Sequence, residues 1–527
     1  MQTNQRAVPG LRLAELLASL SLAIDLGLGQ PMEHFLHACL LAVRLGQLLD
    51  LSEQERSEVY YLGLIRHLGC TAGASEAAAV SGDDLALNSW MLAVDPGHPT
   101  EMLRASFQHL GKGEPALRRT RLFINALATM PWMVEDLTAA RCEAGQHLAE
   151  RLGLASRVQE ALGQVYERWD GKGWPSKLKG EALLLPVRVV QLAHDAQLFS
   201  RLGGTEAAVT MARQRAGGLF DPQLVELFCQ QASHLLEEPS PSSLWEAVLA
   251  VEPGPHPRLT EAHLDQALQA VADFVDLKSP YTVGHSRGVA ELAAEAAQHC
   301  GLPEADIWTL RRAGWLHDLG RIGVSNTIWD KPGPLSEAEW ERVRLHPYYT
   351  ERMLARLKGL GQVSVIAPQH HERLDGSGYH RGISAPLLPM TARILAAADI
   401  YHALREPRPH RAPQPGDAAA AELRRQVQAG LLDDEAVRAV LRAGGHPMRS
   451  TRRAWVAGLS DREIEVLRLV ARGHSNRQMA TLLSVSASTI HHHIQHIYTK
   501  LGISTRAAAT LFAMQHQLLG EVDEAKK

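Results

Sequence analysis

Between His285 and Asp399 the chain gathers side chains that suit hard or borderline metal ions: His285, the adjacent pair His317-Asp318, His346, the adjacent pair His370-His371, and Asp399. Five imidazoles with two carboxylates suit iron, manganese or zinc and do not suit magnesium alone. Adjacent residues on a helix point about 100° apart. An adjacent His-Asp pair can therefore hold one ion through its ring while its carboxylate reaches between two. His370-His371 needs a helix end or a bend to aim both rings inward. Two close ions help phosphodiester hydrolysis directly, because they activate a water and stabilise the charge of the phosphorane-like transition state.

These groups stand in a long ordered pattern. Gly284-His285-Ser286 is followed by Leu316-His317-Asp318-Leu319-Gly320, then by Leu345-His346-Pro347, then by His370-His371-Glu372-Arg373-Leu374-Asp375-Gly376-Ser377-Gly378-Tyr379. Two flanking stretches, Trp329–Leu335 and Arg393–Asp399, complete it. Over roughly 265–445 the chain resembles the HD-GYP family, a branch of the HD phosphohydrolases. The resemblance implies a helical bundle that hydrolyses cyclic di-GMP or a related cyclic dinucleotide, with two divalent metal ions, iron or manganese. His285, His317, Asp318 and Asp399 would hold one ion; Asp318, His346, His370 and His371 would hold the other, with Asp318 bridging. Asp375, Gly376, Gly378 and Tyr379 would form the substrate loop. Tyr281 occupies the position where members with a third metal carry Glu, so two ions are expected.

Three residues depart from the family pattern. Arg321 replaces a lysine that contacts substrate phosphate; it keeps the charge and adds a planar fork with different reach. His380 follows Tyr379 where the family has proline, and His402 stands in place of a second aspartate. Asp318 and Arg321 are the expected catalytic residues. A catalytically weak or inactive domain that senses a nucleotide for a transcription factor is the alternative.

Helical elements must position these groups. The 527 residues are 45% hydrophobic, 21% charged and 5% aromatic, Leu and Ala dominate, and apolar residues recur at helical spacing almost throughout. An all-α fold is expected, with duplicated HD-type bundles and a small C-terminal helix-turn-helix bundle. Glu167–Trp174 echoes Glu372–Tyr379 at an offset of 205, which also pairs Arg188 with Arg393. His34 pairs with His285, and Arg66 with His317, at an offset of 251. In the first copy the His-Asp pair has become Arg66-His67, Tyr166 replaces the second His of the His-His pair, and His194 replaces the last Asp. Without a bridging carboxylate this copy should be inactive, although His34, His67 and His194 could still bind one ion. The expected boundaries are a degenerate regulatory domain over 11–240, a metallophosphohydrolase over 260–445, a basic linker over 446–456 and a DNA-binding domain over 457–520.

That last segment carries a capping box, further helix starts and an internal apolar face. Ser460 precedes Glu463 by three, Ser475-Asn476 opens a second helix, and Ser486–Ser488 opens a third containing Ile490, Ile494 and Ile497. Two short helices joined by a tight turn form a helix-turn-helix, whose second helix enters the major groove. Leu459–Glu463, Ser475–Ala480, Ser486–Ile490 and Ile497–Gly502 resemble the LuxR-type domain. Six basic residues stand against three acidic ones here, in a chain of net charge −4, so phosphate contact would be local. Arg477, Thr489, His491, His492 and Lys500 are the expected DNA contacts; protonation of the unusual histidine cluster should tighten binding as pH falls from about 8 to about 6. LuxR-type domains imply a homodimer. Five cysteines without a CxxC pair, no apparent signal peptide and no run of about 18 apolar residues point to a cytoplasmic protein that does not enter the membrane.

Overall fold

The computed structural model describes residues 10–112, 115–237, 243–445 and 456–519. The basic stretch Arg449–Arg453 and all but the end of the expected linker lie outside them. Helices account for the described architecture, and only isolated backbone bridges interrupt it. None of the described helices is long and apolar enough to cross a membrane. The described residues form two compact units, one running to Ala267 and taking in Arg356–Leu360, the other comprising Leu268–Ala355 and the residues from Gly361 on.

In the first unit His34–Leu48 packs between Glu53–Ile65 and Leu185–Arg215. The last of these bends at Gly203-Gly204, whose backbone is non-helical. Buried Leu36, Val43, Leu62, Val190 and Leu192 fill the bundle. The breaker segment around Glu252 is a loop, but its carboxylate is buried and accepts hydrogen bonds from Tyr61 and Arg12. In the second unit His285–His299 packs along Glu304–Leu316, Met390–Arg405 and Asp434–Gly444. An alanine-rich face, Ala290, Ala293, Ala294 and Ala297, lets these helices approach closely.

The echo between the copies extends to individual hydrogen bonds. Glu167 accepts from the backbone N–H of Ser176 and Leu178, and Glu372 from Arg381 and Ile383, the same 9 and 11 residues on. Arg188 pairs with Asp221 at 2.8 Å and Arg393 with Asp433 at 2.9 Å. Asp25 accepts from the Phe35 N–H, and Asp276 from that of Ser286, ten residues on in both. Gly173 and Gly378 sit so close to the chain behind them that a Cβ would come within 2.5 Å of the backbone, hence glycine in both.

The C-terminal segment of the second unit forms Asp461–Ala471, Asn476–Leu482, Ala487–Leu501 and Arg506–Gln515. Ser460 with Glu463 and Ser475 with Gln478 make the reciprocal caps, and Ser486 accepts from the Thr489 N–H. Ile464, Leu467, Met479, Ile490, Ile494, Ile497 and Ala513 form the core.

Candidate metal centre and DNA-binding face

The seven expected ligands converge. His285 and His346 each open a helix, and His317-Asp318 follows the end of Glu304–Leu316. His370-His371 follows a short 3-10 turn, Ala367–Gln369, which supplies the bend the adjacent pair needs. Gly320 passes so close to this frame that a Cβ would lie 1.9 Å from the His346 carbonyl oxygen. Thr350, fully buried, donates to the His317 carbonyl and accepts from the Gly320 N–H, clamping the turn that carries the His-Asp pair.

Three rings are aimed by one repeated device. His317, His346 and His370 each donate Nδ1–H to the carbonyl three residues earlier, on Gly314, Val343 and Ala367, at 2.8, 2.6 and 2.8 Å. Each Nε2 is thereby left as a lone pair facing the centre. His346 and His370 Nε2 lie 3.1 Å apart and each 3.5 Å from Asp318 Oδ1. His317 Nε2 is buried without a hydrogen-bond partner, 3.5 Å from Asp318 Oδ2 and 3.8 Å from Asp399 Oδ1. His285 Nε2 lies 3.2 Å from Asp399 Oδ1, and His371 Nδ1 3.8 Å from Asp399 Oδ2. Donor atoms within 4.8 Å of one another form the sets His285/His317/Asp399, His317/Asp318/His370 and His346/His370/His371. An orphaned buried ring nitrogen and convergent imidazole lone pairs beside two carboxylates fit divalent metal ions.

The electrostatics agree with a ligand role. Burial pushes His317 down to about 4 and His346 down to about 3, and holds His371 well below its usual value. Burial works against the Asp318 carboxylate, but His317 and Arg321 outweigh it and hold that group well below the carboxylate range. Asp399 is likewise lowered against burial by His285 and His371. Neutral imidazoles and ionised carboxylates are the forms a metal binds. His285 is the exception: burial disfavours its charge, yet Glu406 and Asp399 push it up to about 10.

Arg321 reaches into the same site. Its guanidinium lies 3.1 Å from Asp318 Oδ2 and stacks 3.8 Å over the Trp329 ring, whose Nε1–H donates to the Arg321 carbonyl. On the other side, Asp375 accepts from the N–H and hydroxyl of Ser377, and Gly376 takes φ 81. Tyr379 lies with its ring 4.7 Å from that of His371, and burial pushes its hydroxyl upward. His380 does not hang free: its Nε2 lies 2.6 Å from Glu351, which also accepts from Arg381. Sequence reasoning missed Thr350, Glu351 and Glu406, whose partners lie 29 to 121 residues along the chain, and Glu372, which ties backbone N–H groups 9 and 11 residues on. For Glu372 alone a signal existed, its recurrence at Glu167.

The first copy lacks such a set. Phe35 lies among its histidines, with ring centroids 4.9 Å from His34, 5.3 Å from His67 and 4.9 Å from His194. His194 Nε2 is spent on the Gly63 carbonyl. Arg66, where the central copy has His317, lies 3.8 Å from Asp195. Burial pushes His34 down to about 3 and holds His67 and His194 well below their usual value. Among the described residues, every group of convergent metal donors lies in the second unit.

In the C-terminal bundle Arg477, Thr489, His491, His492 and His496 are exposed, and His493 is half-buried. His492 and His496 have ring centroids 6.3 Å apart. The Thr489 and Ser486 hydroxyls lie 2.8 Å apart. Lys500 pairs with Glu463 at 2.7 Å and donates to the Gly458 carbonyl, so this expected contact is tied to its own domain.

Comparison with known proteins agrees with both readings. The HD domain family matches at residues 125–224 and again at 269–436, and the bacterial regulatory proteins of the luxR family match at 457–513. The 3'3'-cGAMP-specific phosphodiesterase 3 of Vibrio cholerae is 34% identical over 451 residues, covering 84% of this chain and 96% of that protein. The cyclic di-GMP phosphodiesterase response regulator RpfG of Xanthomonas campestris is 33% identical over 181 residues, 34% of this chain and 47% of its own length. The crystal structure of a cyclic GMP-AMP specific phosphodiesterase of V. cholerae, V-cGAP3, superposes with a TM-score of 0.58 at 30% identity, covering 83% of this chain and 99% of that one. The chain therefore belongs to the HD-domain phosphohydrolases, as a metal-dependent phosphodiesterase of HD-GYP type joined to a LuxR-family domain.

Proposed function

We propose that this chain hydrolyses a cyclic dinucleotide at the His285–Asp399 centre and binds DNA through its C-terminal bundle, linking nucleotide turnover to transcription. The observation that carries the reading is the 451-residue likeness to a phosphodiesterase, which spans both copies of the helical domain. Relatives named for cyclic di-GMP match about a third of the chain. The likeness over 84% of this chain supports 3'3'-cGAMP beside cyclic di-GMP as a candidate substrate.

His285, His317, Asp318 and Asp399 would hold one divalent ion, and Asp318, His346, His370 and His371 a second; the donor set favours iron or manganese. When bound, such ions activate water and neutralise charge developing on the phosphate. Arg321, braced by Trp329, offers a guanidinium fork to a phosphate oxygen. The Asp375–Gly378 turn and Tyr379 form the wall against which the substrate is oriented. One phosphodiester bond is exchanged for an oxygen of water, and the ribose oxygen leaves with a proton. The helix Ala487–Leu501 enters the major groove with Thr489, His491 and His492 toward base edges, while Arg477 contacts phosphate. The first copy serves as a regulatory domain, the assembly is a homodimer, and the site of action is the cytoplasm.

Purified full-length protein loaded with manganese or iron, offered cyclic di-GMP, 3'3'-cGAMP and a simple phosphodiester, tests the catalytic part. Linear dinucleotide is the expected product. Tight nucleotide binding with no hydrolysis of any substrate would instead establish the sensor. Selection of an operator from random DNA, followed by fluorescence anisotropy, tests the rest; the absence of any sequence-specific binding would overturn the transcriptional role.

A further inference from the structure

His285 is oriented differently from the other buried rings. Its backbone N–H donates to the Thr282 carbonyl three residues earlier, the place that serves the ring Nδ1–H of His317, His346 and His370. Its Nδ1 instead meets the Glu406 carboxylate at 2.9 Å, from 121 residues away. Glu406 is itself held firmly. Arg408 donates to it at 2.9 Å, and His402 Nδ1 lies 3.1 Å from its other oxygen. Arg411 spans the end of the helix Met390–Arg405, donating to the carbonyls of Ala403, Leu404 and Glu406. His402 in turn fills the space above Gly288, where a Cβ would come within 1.9 Å of its ring.

The first copy reverses this arrangement. At the offset of 205 that pairs the two loops, Glu406 corresponds to Arg201 and His402 to Gln197. Arg201 bonds to Gln30 and adds to the positive field at His34, the counterpart of His285. The copy without convergent donors therefore has a cation where the copy with them has a carboxylate. His402 occupies the position where the resemblance places an aspartate, and Glu406 lies one helical turn further on.

We propose that Glu406 is the positioning residue of the His285 metal site, supplying from the end of its helix the carboxylate that His402 no longer provides. This inference rests on the metal-centre reading given above. A carboxylate on the far ring nitrogen fixes the tautomer, turns Nε2 toward Asp399 and raises ligand basicity; loss of such a partner typically weakens metal binding about 10- to 100-fold. The effect is confined to one of the two ions, because His346, His370 and His371 take no contact from Glu406.

Manganese titration of the full-length chain, read by calorimetry and by metal content after gel filtration, provides the test. Glu406→Gln should weaken one metal about 10- to 100-fold and leave the other unchanged, the retained ion reporting an intact fold. Glu406→Arg, which copies the first domain, should abolish the weakened site. Glu406→Asp should retain most of the affinity, and adding His402→Asp to Glu406→Ala should restore part of what Glu406→Ala loses. Two ions held by Glu406→Gln with wild-type affinities would overturn the inference alone, as would equal weakening of both. A wild-type chain that takes up no metal would overturn the metal-centre reading together with it.

Discussion

The two copies share one scaffold and differ at its centre. Both keep the glutamate that ties the glycine-rich loop, the arginine–aspartate pair beneath it and the aspartate that holds the first helix. Where the second copy places His317-Asp318, the first places Arg66-His67, and its remaining rings pack around Phe35. The framework bonds stabilise a fold, and they persist in the copy without the convergent donor set. The central carboxylates belong to the candidate metal-donor sets rather than to this framework. The first copy has no carboxylate in the place of Asp318; its buried Arg66 faces Asp195 at 3.8 Å instead. Duplication thus separates the bonds common to both bundles from the donor set found in the second.

The largest expected effect comes from making the second copy resemble the first. Asp318→Asn removes the bridging charge while preserving shape. It should lower cyclic dinucleotide hydrolysis by about a thousandfold or more, since several kcal/mol of transition-state stabilisation disappear. Steady-state assays with excess manganese measure this; activity within about tenfold of wild type would mean that Asp318 does not bridge.

The next prediction concerns the acid response of the first copy. Its buried histidines have depressed folded values, about 3 for His34, against about 6.5 in an unfolded chain. Stability is fully present above pH 6.5 and falls as the pH drops from there toward 3, because only the unfolded chain takes up the protons. His34 contributes up to about 1.4 kcal/mol per pH unit within that window, and His67 and His194 act in the same direction. Hydrogen exchange at the segments around His34, His67 and His194 should show declining protection between pH 6.5 and 4.5, whether or not metal or chelator is present. Around His317 and His346 protection should depend on metal. A chelator effect at His34, His67 and His194 would contradict the distinction.

Smaller changes are expected from the family departures. Arg321→Lys and His380→Pro should alter kcat/KM by no more than about tenfold, because charge survives in the first and the loop retains the Arg381–Glu351 contact in the second. A loss of about a hundredfold or more in the Arg321→Lys chain would show that the stack on Trp329 is essential. In the C-terminal bundle, the exposed Arg477 should contact phosphate, so Arg477→Ala should weaken DNA binding across sequences and reduce the salt slope by about one; anisotropy at several salt concentrations reads it.

Much of this was legible in the sequence because the informative residues lie in local motifs. Helical periodicity gave the all-α class, and the adjacent pairs His317-Asp318 and His370-His371 marked the place where candidate donors converge, with a short turn before His370 supplying the bend. The duplication was visible at Glu167 and Glu372, although their identical loop bonds were not. What sequence could not reveal were partners joined only by folding. Glu406 reads as a charge in a breaker-rich stretch, yet it meets His285 across 121 residues. Glu351 stands in no motif of the sequence, yet it anchors His380 and Arg381. Lys500 reads as a free cation near DNA, but the capping glutamate of another helix engages it.

The asymmetry between the copies is tested most directly by counting metal in the full-length chain with each centre altered in turn. Wild-type protein, equilibrated with manganese and analysed by plasma mass spectrometry, should carry two ions per chain. A His346→Ala/His370→Ala chain should carry fewer, and a His34→Ala/His67→Ala/His194→Ala chain should still carry two. Loss of metal from the latter, with full retention in the former, would contradict the account.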